Sequence, residues 1–378
     1  MKNSLVERIA DAVLYEGYLL YPYRRSAVKN QQRWNFGALC PESYSRAQAG
    51  TENWTMQTQC LIESNPNTRL NVKVRFLHLL IRELAQVIGD CSLPISECGH
   101  RLLGTLSNSA HFALKSAFEP NGQPQAWQEA VERDVYLPAV PLDLFGPVSM
   151  RFSFPPSETA EPSSDETNGE NTGIIIRRQE GLEGVVEVRV EECGLRNPAD
   201  EKSLPQTENP DSENSSLDRM RKITIQIRNL TPLEDAEQKS RDDALMRSFV
   251  STHTILSVEN GQFVSLLDPP EVFREAAAAC SNVGTYPVLS GVEGTRDCML
   301  SSPIILYDYP QIAPESAGSL FDGTEIDEIL TLRIMTLTDE EKREIRGADD
   351  RARQILERTE ALPVEQLMKM HGAMKGVK

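Results

Sequence analysis

A few residues in this chain have the donor types that chemistry uses. Cys91, Cys98 and His100, spaced Cys-x6-Cys-x-His, offer two thiolates and an imidazole, with Cys60 or His78 available to join them. Those are zinc donors, although the spacing matches no common knuckle. A metal carrier is therefore one alternative, and structural cysteines buried as small apolar residues are the other. His253 stands between Thr252 and Thr254 on an expected strand, either as a general base or as a half-buried strand histidine. No nucleophile or carboxylate is spaced to pair with it. Asp322, Glu325, Asp327 and Glu328 cluster within residues 321–328. Grouped carboxylates suit acid–base work or calcium, but on a strand Asp327 and Glu328 would point to opposite faces, and solvated loop is the plainer role.

The segment 15–36 is the most unusual. Four of the nine tyrosines fall at Tyr15, Tyr18, Tyr21 and Tyr23, followed by Arg24, Arg25, Lys29, Arg33, Trp34 and Phe36. Residues 17–41 carry a charge of +4 and no acid, within a chain whose net charge is -17. Tyr, Trp and Arg are enriched at interaction hot spots. Tyr21, Tyr23, Arg24, Arg25, Lys29, Arg33 and Trp34 are thus the candidate partner-binding residues, against the alternative of tyrosines packed on the core and bases paired with nearby acids. Phosphate-loop, dinucleotide-fold, His-Glu-x-x-His, Gly-x-Ser-x-Gly and Cys-x-x-Cys patterns are all missing from the sequence. The reading therefore points away from an enzyme and expects no cofactor. A hydrolase-like enzyme whose site assembles from distant residues remains the alternative.

The elements that must position these residues are mostly strands. Ser4 and Glu7 form a capping-box pattern, and Leu5, Ile9, Ala12 and Val13 recur at helical spacing, which predicts a short helix ending before Gly17. Residues 71–76, 186–190 and 222–228 alternate apolar with polar, the mark of strands with one wet face. Two hairpins are predicted. One joins 174–178 to 185–192 around Gly181 and Gly184; the other joins 252–258 to 262–267 across Asn260-Gly261. A brief helix is expected over 270–280 and a final strand over 326–337. The fold class is mainly β, a β-rich α+β with an antiparallel two-sheet or sandwich-like body over 1–335. A helical C-terminal appendage over 336–378 would dock or dimerise, which makes a homo-oligomer one expectation.

Most of the acidity is local. Residues 155–173 hold five acids and no base, and residues 197–218 hold six acids and one lysine, together -10 of the -17. Both stretches are rich in Pro, Ser, Thr and Asn, so both are expected to be disordered insertions. An acidic chain without clustered bases is not expected to bind nucleic acid. The first residues do not match a signal peptide and no run of about 18 apolar residues occurs, so neither export nor a membrane is expected. Seven scattered cysteines then read as reduced thiols, and the cytoplasm is the expected location.

Three strings resemble one family. They are residues 13–24 with Lys29-Asn30, Arg33 and Phe36-Gly37; residues 302–316; and residues 320–333 with 338–344. They are similar to an uncharacterised bacterial family whose genes lie beside those of uptake [NiFe] hydrogenases and their maturation factors. The resemblance implies a cytoplasmic accessory or assembly protein acting by protein–protein contact, with hydrogenase subunits or maturation factors as partners. It carries over no catalytic or metal-binding residue.

Overall fold

The computed structural model describes residues 2–15, 35–88, 113–116, 126–143, 146–164, 171–193 and 219–311, with scattered positions between 334 and 361. The chain is mainly β. Helices α1 (Lys2–Leu14) and α2 (Glu42–Ala47) precede strands β1 (Thr55–Ile88), β2 (Ala113–Ser116), β3 (Ala126–Pro141) and β4 (Val148–Phe154). Next come β5 (Ser157–Ser164), β6 (Asn171–Gln179), β7 (Leu182–Glu192) and β8 (Arg219–Asn229). Helix α3 (Arg241–Leu245), β9 (Val250–Val264), α4 (Arg274–Ala278), β10 (Tyr286–Leu289) and β11 (Cys298–Ser302) complete the described elements. Among the described residues every strand pairing is antiparallel.

Strand β1, 34 residues long, is the spine of the sheet. Its neighbours change along its length: β8 and β9 flank its start, β9 and β3 its middle, β3 and β6 its end, and β2 its last residues. The alternation read at 71–76 divides the strand's two faces. Leu70, Val72, Val74 and Phe76 enter the main core, while Leu77 and Leu79 join a second cluster with Leu14, Leu245, Met246 and Val250.

Two expected hairpins are corrected. Residues 174–178 and 185–192 do not pair with each other: β6 pairs with β1 and β5, and β7 with β4 and β8. Asn260-Gly261 makes a bulge instead of a turn, and β9 runs straight through it. The reason is the partner strand. Gly261 pairs with Ser64 and Glu259 with Arg69, so β1 offers ladder partners on both sides while its residues 65–68 loop out. Asn260 takes φ 56°, a left-handed conformation that asparagine tolerates, and the Thr68 hydroxyl donates to its carbonyl at 2.6 Å.

The stretch 155–173 is corrected as well, since Ser157–Ser164 is strand β5, paired with β6. Two of the acids that suggested disorder have cross-strand partners: Glu158 accepts from Arg178 at 2.9 Å, and Glu161 accepts from Arg177. Residues 197–218 lie outside the described residues. So does most of the expected strand at 326–337, although Ile334 and Met335 are helical where described. The appendage at 336–378 is described only at scattered positions. The brief helix expected over 270–280 is present, as a 3-10 turn at Glu271–Phe273 leading into α4.

In place of two separate sheets, the eleven strands form one, with the path β10-β11-β9-β1-β8-β7-β4. Its curvature brings the last strand of the path over its middle. The Phe152 ring of β4 lies 6.1 Å from Phe76 of β1 and 5.4 Å from Phe249, which just precedes β9. Gly184 of β7 makes this approach feasible, because a Cβ there would lie 2.4 Å from the Phe152 ring and 2.7 Å from that of Phe249.

Candidate functional site

Beyond β11 the chain runs Pro303-Ile304-Ile305-Leu306-Tyr307-Asp308-Tyr309, four consecutive apolar residues among them. The even members face in. Ile304 and Leu306 pack against Val6, Ile9, Ala10 and Val13 of α1. The odd members face out, Ile305 at 90% and Tyr307 at 80% exposure, against 6% for Leu306. Single exposed apolar residues are ordinary on protein surfaces. Here two nearly full side chains stand in water on backbone that is fastened at both ends.

The fastening is polar and local. The Ile304 amide donates to Ser302 Oγ at 3.0 Å. At the far end the Tyr309 amide donates to the Leu289 carbonyl at 2.7 Å, and Asp308 Oδ1 accepts the Leu289 amide at 2.7 Å. Asp308 Oδ2 accepts the Ser265 hydroxyl at 2.5 Å, and Ser265 Oγ itself accepts the amides of Leu267 and Asp268. Tyr309, at φ 55°, donates its phenol to the Thr295 carbonyl at 2.8 Å. Burial, and then the neighbouring Asp308 carboxylate, push the phenols of Tyr309 and Tyr286 above their ordinary range. The carboxylate ties β10, the turn after β9 and this loop together.

The loop meets the exit of the Tyr/Arg segment. Gly37, at φ +56°, comes so close that a Cβ there would lie 2.7 Å from Pro303 Cγ. The amides of Ser251 and Thr252 donate to the carbonyls of Phe36 and Gly37 at 3.1 and 3.0 Å, and Phe36 is itself half exposed. Two of the strings that carry the family resemblance thus touch, through α1 against Ile304 and Leu306 and through Gly37 against Pro303. Tyr21, Tyr23, Arg24, Arg25, Lys29, Arg33 and Trp34 lie outside the described residues, between Tyr15 and Asn35. Sequence reasoning quoted the 302–316 string but did not single out Ile305 and Tyr307. The signal was available: alternation continued past β11 through Ile304–Tyr307 puts every second apolar residue outside.

The other sequence candidates are less well placed. Cys91, Cys98 and His100 lie outside the described residues, as do Asp322, Glu325, Asp327 and Glu328. Cys60 is buried in the main core, where its thiol is pushed up by desolvation, and His78 donates its Nε2–H to the Glu180 carbonyl at 2.9 Å. Among the described residues no three His, Cys, Asp or Glu side chains come together as a metal-ion set. His253 is fully buried on β9, not half-buried. Its Nδ1–H donates to the Ser251 carbonyl at 2.7 Å, and its Nε2 has no partner among the described residues. Burial, with the positive charge of Arg75 nearby, lowers its pKa to about 4. The same forces act on His78, through burial and Arg133, again to about 4. Both imidazoles are therefore neutral near pH 7 and enclosed.

An open cleft of about 630 Å³ lies between the β4–β5 connection and residues 231–247, with Phe154, Pro155, Pro156, Leu182, Pro232 and Leu233 supplying its apolar wall. Glu183, Glu234, Asp235, Lys239 and Arg247 supply charge of both signs. Arg247 is engaged by Glu180 at 2.8 Å.

No helix among the described residues is long and apolar enough to cross a membrane. No protein-family model matches the chain, and comparison with curated proteins finds no match. Among solved structures, two of the InvG secretin from the Salmonella SPI-1 injectisome share 8% and 11% identity with it. They cover 59% and 51% of this chain and 69% and 66% of theirs, at TM-scores of 0.08 and 0.09. At such scores the likeness carries no argument about fold or function.

Proposed function

We propose that this chain is a non-catalytic cytoplasmic accessory protein that works by gripping another protein, in the biogenesis of [NiFe] hydrogenases. One observation carries the contact: Ile305 and Tyr307 stand almost wholly in water on a loop whose buried alternates and Asp308 clamp hold it still. A rigid aliphatic–aromatic pair loses little side-chain freedom on docking, which is what an interaction anchor requires. The hydrogenase assignment rests on the sequence resemblance. The meeting of two of the resembling strings at this loop is the reason for placing the contact there. In this reading Arg24, Arg25, Lys29 and Arg33 serve the same partner contact, the curved sheet is the scaffold, and 336–378 is a helical appendage that also supports self-association.

The test is an affinity pull-down of the tagged chain from its native host, run beside Ile305→Glu/Tyr307→Glu and Arg24→Glu/Arg25→Glu/Arg33→Glu variants. Recovery of hydrogenase subunits or maturation factors by the wild type, lost with the first variant, is the expected result. A partner set unrelated to hydrogenase would overturn the assignment but keep the surface. Equal recovery by the wild type and the Ile305/Tyr307 variant would overturn the surface.

A further inference from the structure

Charges on the body of this protein are mostly matched. Lys73 and Arg75 share Glu7, Asp11, Glu132 and Asp134, and exposed Glu271 is engaged by Arg274 at 2.7 Å. Asp308 and Asp268 differ: among the described residues neither has a cation partner. The Asp308 carboxylate is held by two neutral donors, the Leu289 amide at 2.7 Å and the Ser265 hydroxyl at 2.5 Å. Asp268 is exposed, and its amide donates to the same Ser265 Oγ at 2.9 Å. Ser265 thus stands between two carboxylates, with no base beside either.

The unmatched charge lies where the exposed apolar side chains are. Tyr307 precedes Asp308 and Leu267 precedes Asp268, at 80% and 46% exposure. The Tyr286 hydroxyl donates to the Leu266 carbonyl at 3.5 Å. Burial, and then the Asp308 carboxylate, push that phenol up, which sets its ring near the acid. Salt screens a half-buried carboxylate less than a surface one, so the field of Asp308 persists at this surface. A segment with apolar side chains and a lysine or arginine would cover the first and supply the missing counter-charge to the second. An acidic segment would bring like charge into the same desolvated contact, which is how interfaces reject wrong partners. We infer that this surface takes a short basic segment of a partner protein, its apolar side chains over Ile305, Tyr307 and Leu267 and its cation at Asp268 and Asp308. The inference rests on the docking role of Ile305 and Tyr307 proposed above and adds the chemistry of what docks.

The probe is a short fluorescein-labelled peptide of leucine, tryptophan and lysine, compared with the same peptide carrying glutamate for lysine. Fluorescence anisotropy with the full-length chain reads the binding. The lysine peptide should bind, more weakly as salt rises, and Ile305→Glu/Tyr307→Glu should abolish it. Asp268→Lys should weaken it about tenfold. Glu237→Lys makes the same charge change on an exposed acid of the turn at Ala236–Gln238 and should alter binding about twofold at most. Failure of the lysine peptide to bind would overturn the inference, as would equal binding of the glutamate peptide. Equal losses from Asp268→Lys and Glu237→Lys would reduce the preference to net charge and overturn it as well. In the pull-down, partners lost with Ile305→Glu/Tyr307→Glu but kept by Asp268→Lys would leave the docking surface standing and overturn the basic chemistry alone.

Discussion

Ser265 donates its hydroxyl to Asp308 at 2.5 Å, joining the end of β9 to a loop 43 positions further along the chain. The other oxygen of that carboxylate holds the Leu289 amide, so one side chain sets the separation of three segments. Asp308→Ala should leave these donors short of an acceptor and destabilise the protein by about 1–3 kcal/mol. Urea denaturation measures it, and an unchanged midpoint would show that the clamp holds nothing.

Leu306 and its two exposed neighbours should respond in opposite ways. Leu306→Ala empties a site beneath α1 and should cost about 2–4 kcal/mol. Ile305→Ser and Tyr307→Ser remove side chains that touch mostly water and should stay within about 0.5 kcal/mol of wild type. Thermal melts of the three variants side by side make the comparison. A large loss from either serine variant would mean that the residue belongs to the fold and not to a contact surface.

Acid should weaken the protein through its two enclosed imidazoles. His78 and His253 have folded pKa values of about 4, below the ordinary value near 6.5. The unfolded chain therefore binds more protons as pH falls through 6.5, and the stability held above that pH drains away down to about 4. Each histidine can account for up to about 3 kcal/mol of this loss. His253→Gln should flatten the fall in urea midpoint between about pH 7 and about pH 5. A slope identical to that of the wild type would mean that the buried ring takes a proton without penalty.

Gly184 sits opposite Phe152 in the β4–β7 ladder, with no room for a methyl group beside the rings of Phe152 and Phe249. Gly184→Ala should destabilise by about 1–3 kcal/mol through forced ring displacement. Adding Phe152→Leu should recover part of the loss, which a double-mutant cycle would show as a favourable coupling. Strict additivity would place the strain elsewhere.

Where local pattern decides structure, the sequence was readable. The spacing of Ile9, Ala12 and Val13 located α1, and alternation located parts of β1, β7 and β8, because burial of one face writes its period directly into the chain. Pairing is a long-range matter and left no such mark. Asn260-Gly261 carries the strongest hairpin signal, yet whether it turns or bulges depends on Ser64 and Arg69, some two hundred positions away. The acids of 155–173 looked like solvated linker because Arg177 and Arg178, their partners, lie outside the stretch. The length of β1 was equally hidden, since at Arg82, buried beside Glu129 of β3, the strand carries a cation where alternation alone would place an apolar residue. The loop 303–309 was half legible: its apolar run is plain, but its fastening depends on α1 and on Ser265 and Leu289, far away in the chain.

The many partners of β1 bear on how the protein is made. Its last residue, Ile88, leaves the ribosome long before β9, whose pairing covers the middle of the strand and which ends at Val264. At elongation rates of about 5–20 residues per second, that interval is on the order of 10–35 s. Throughout it a long apolar strand has an edge waiting for chain not yet synthesised, which makes nascent β1 a natural client for chaperones at the exit tunnel.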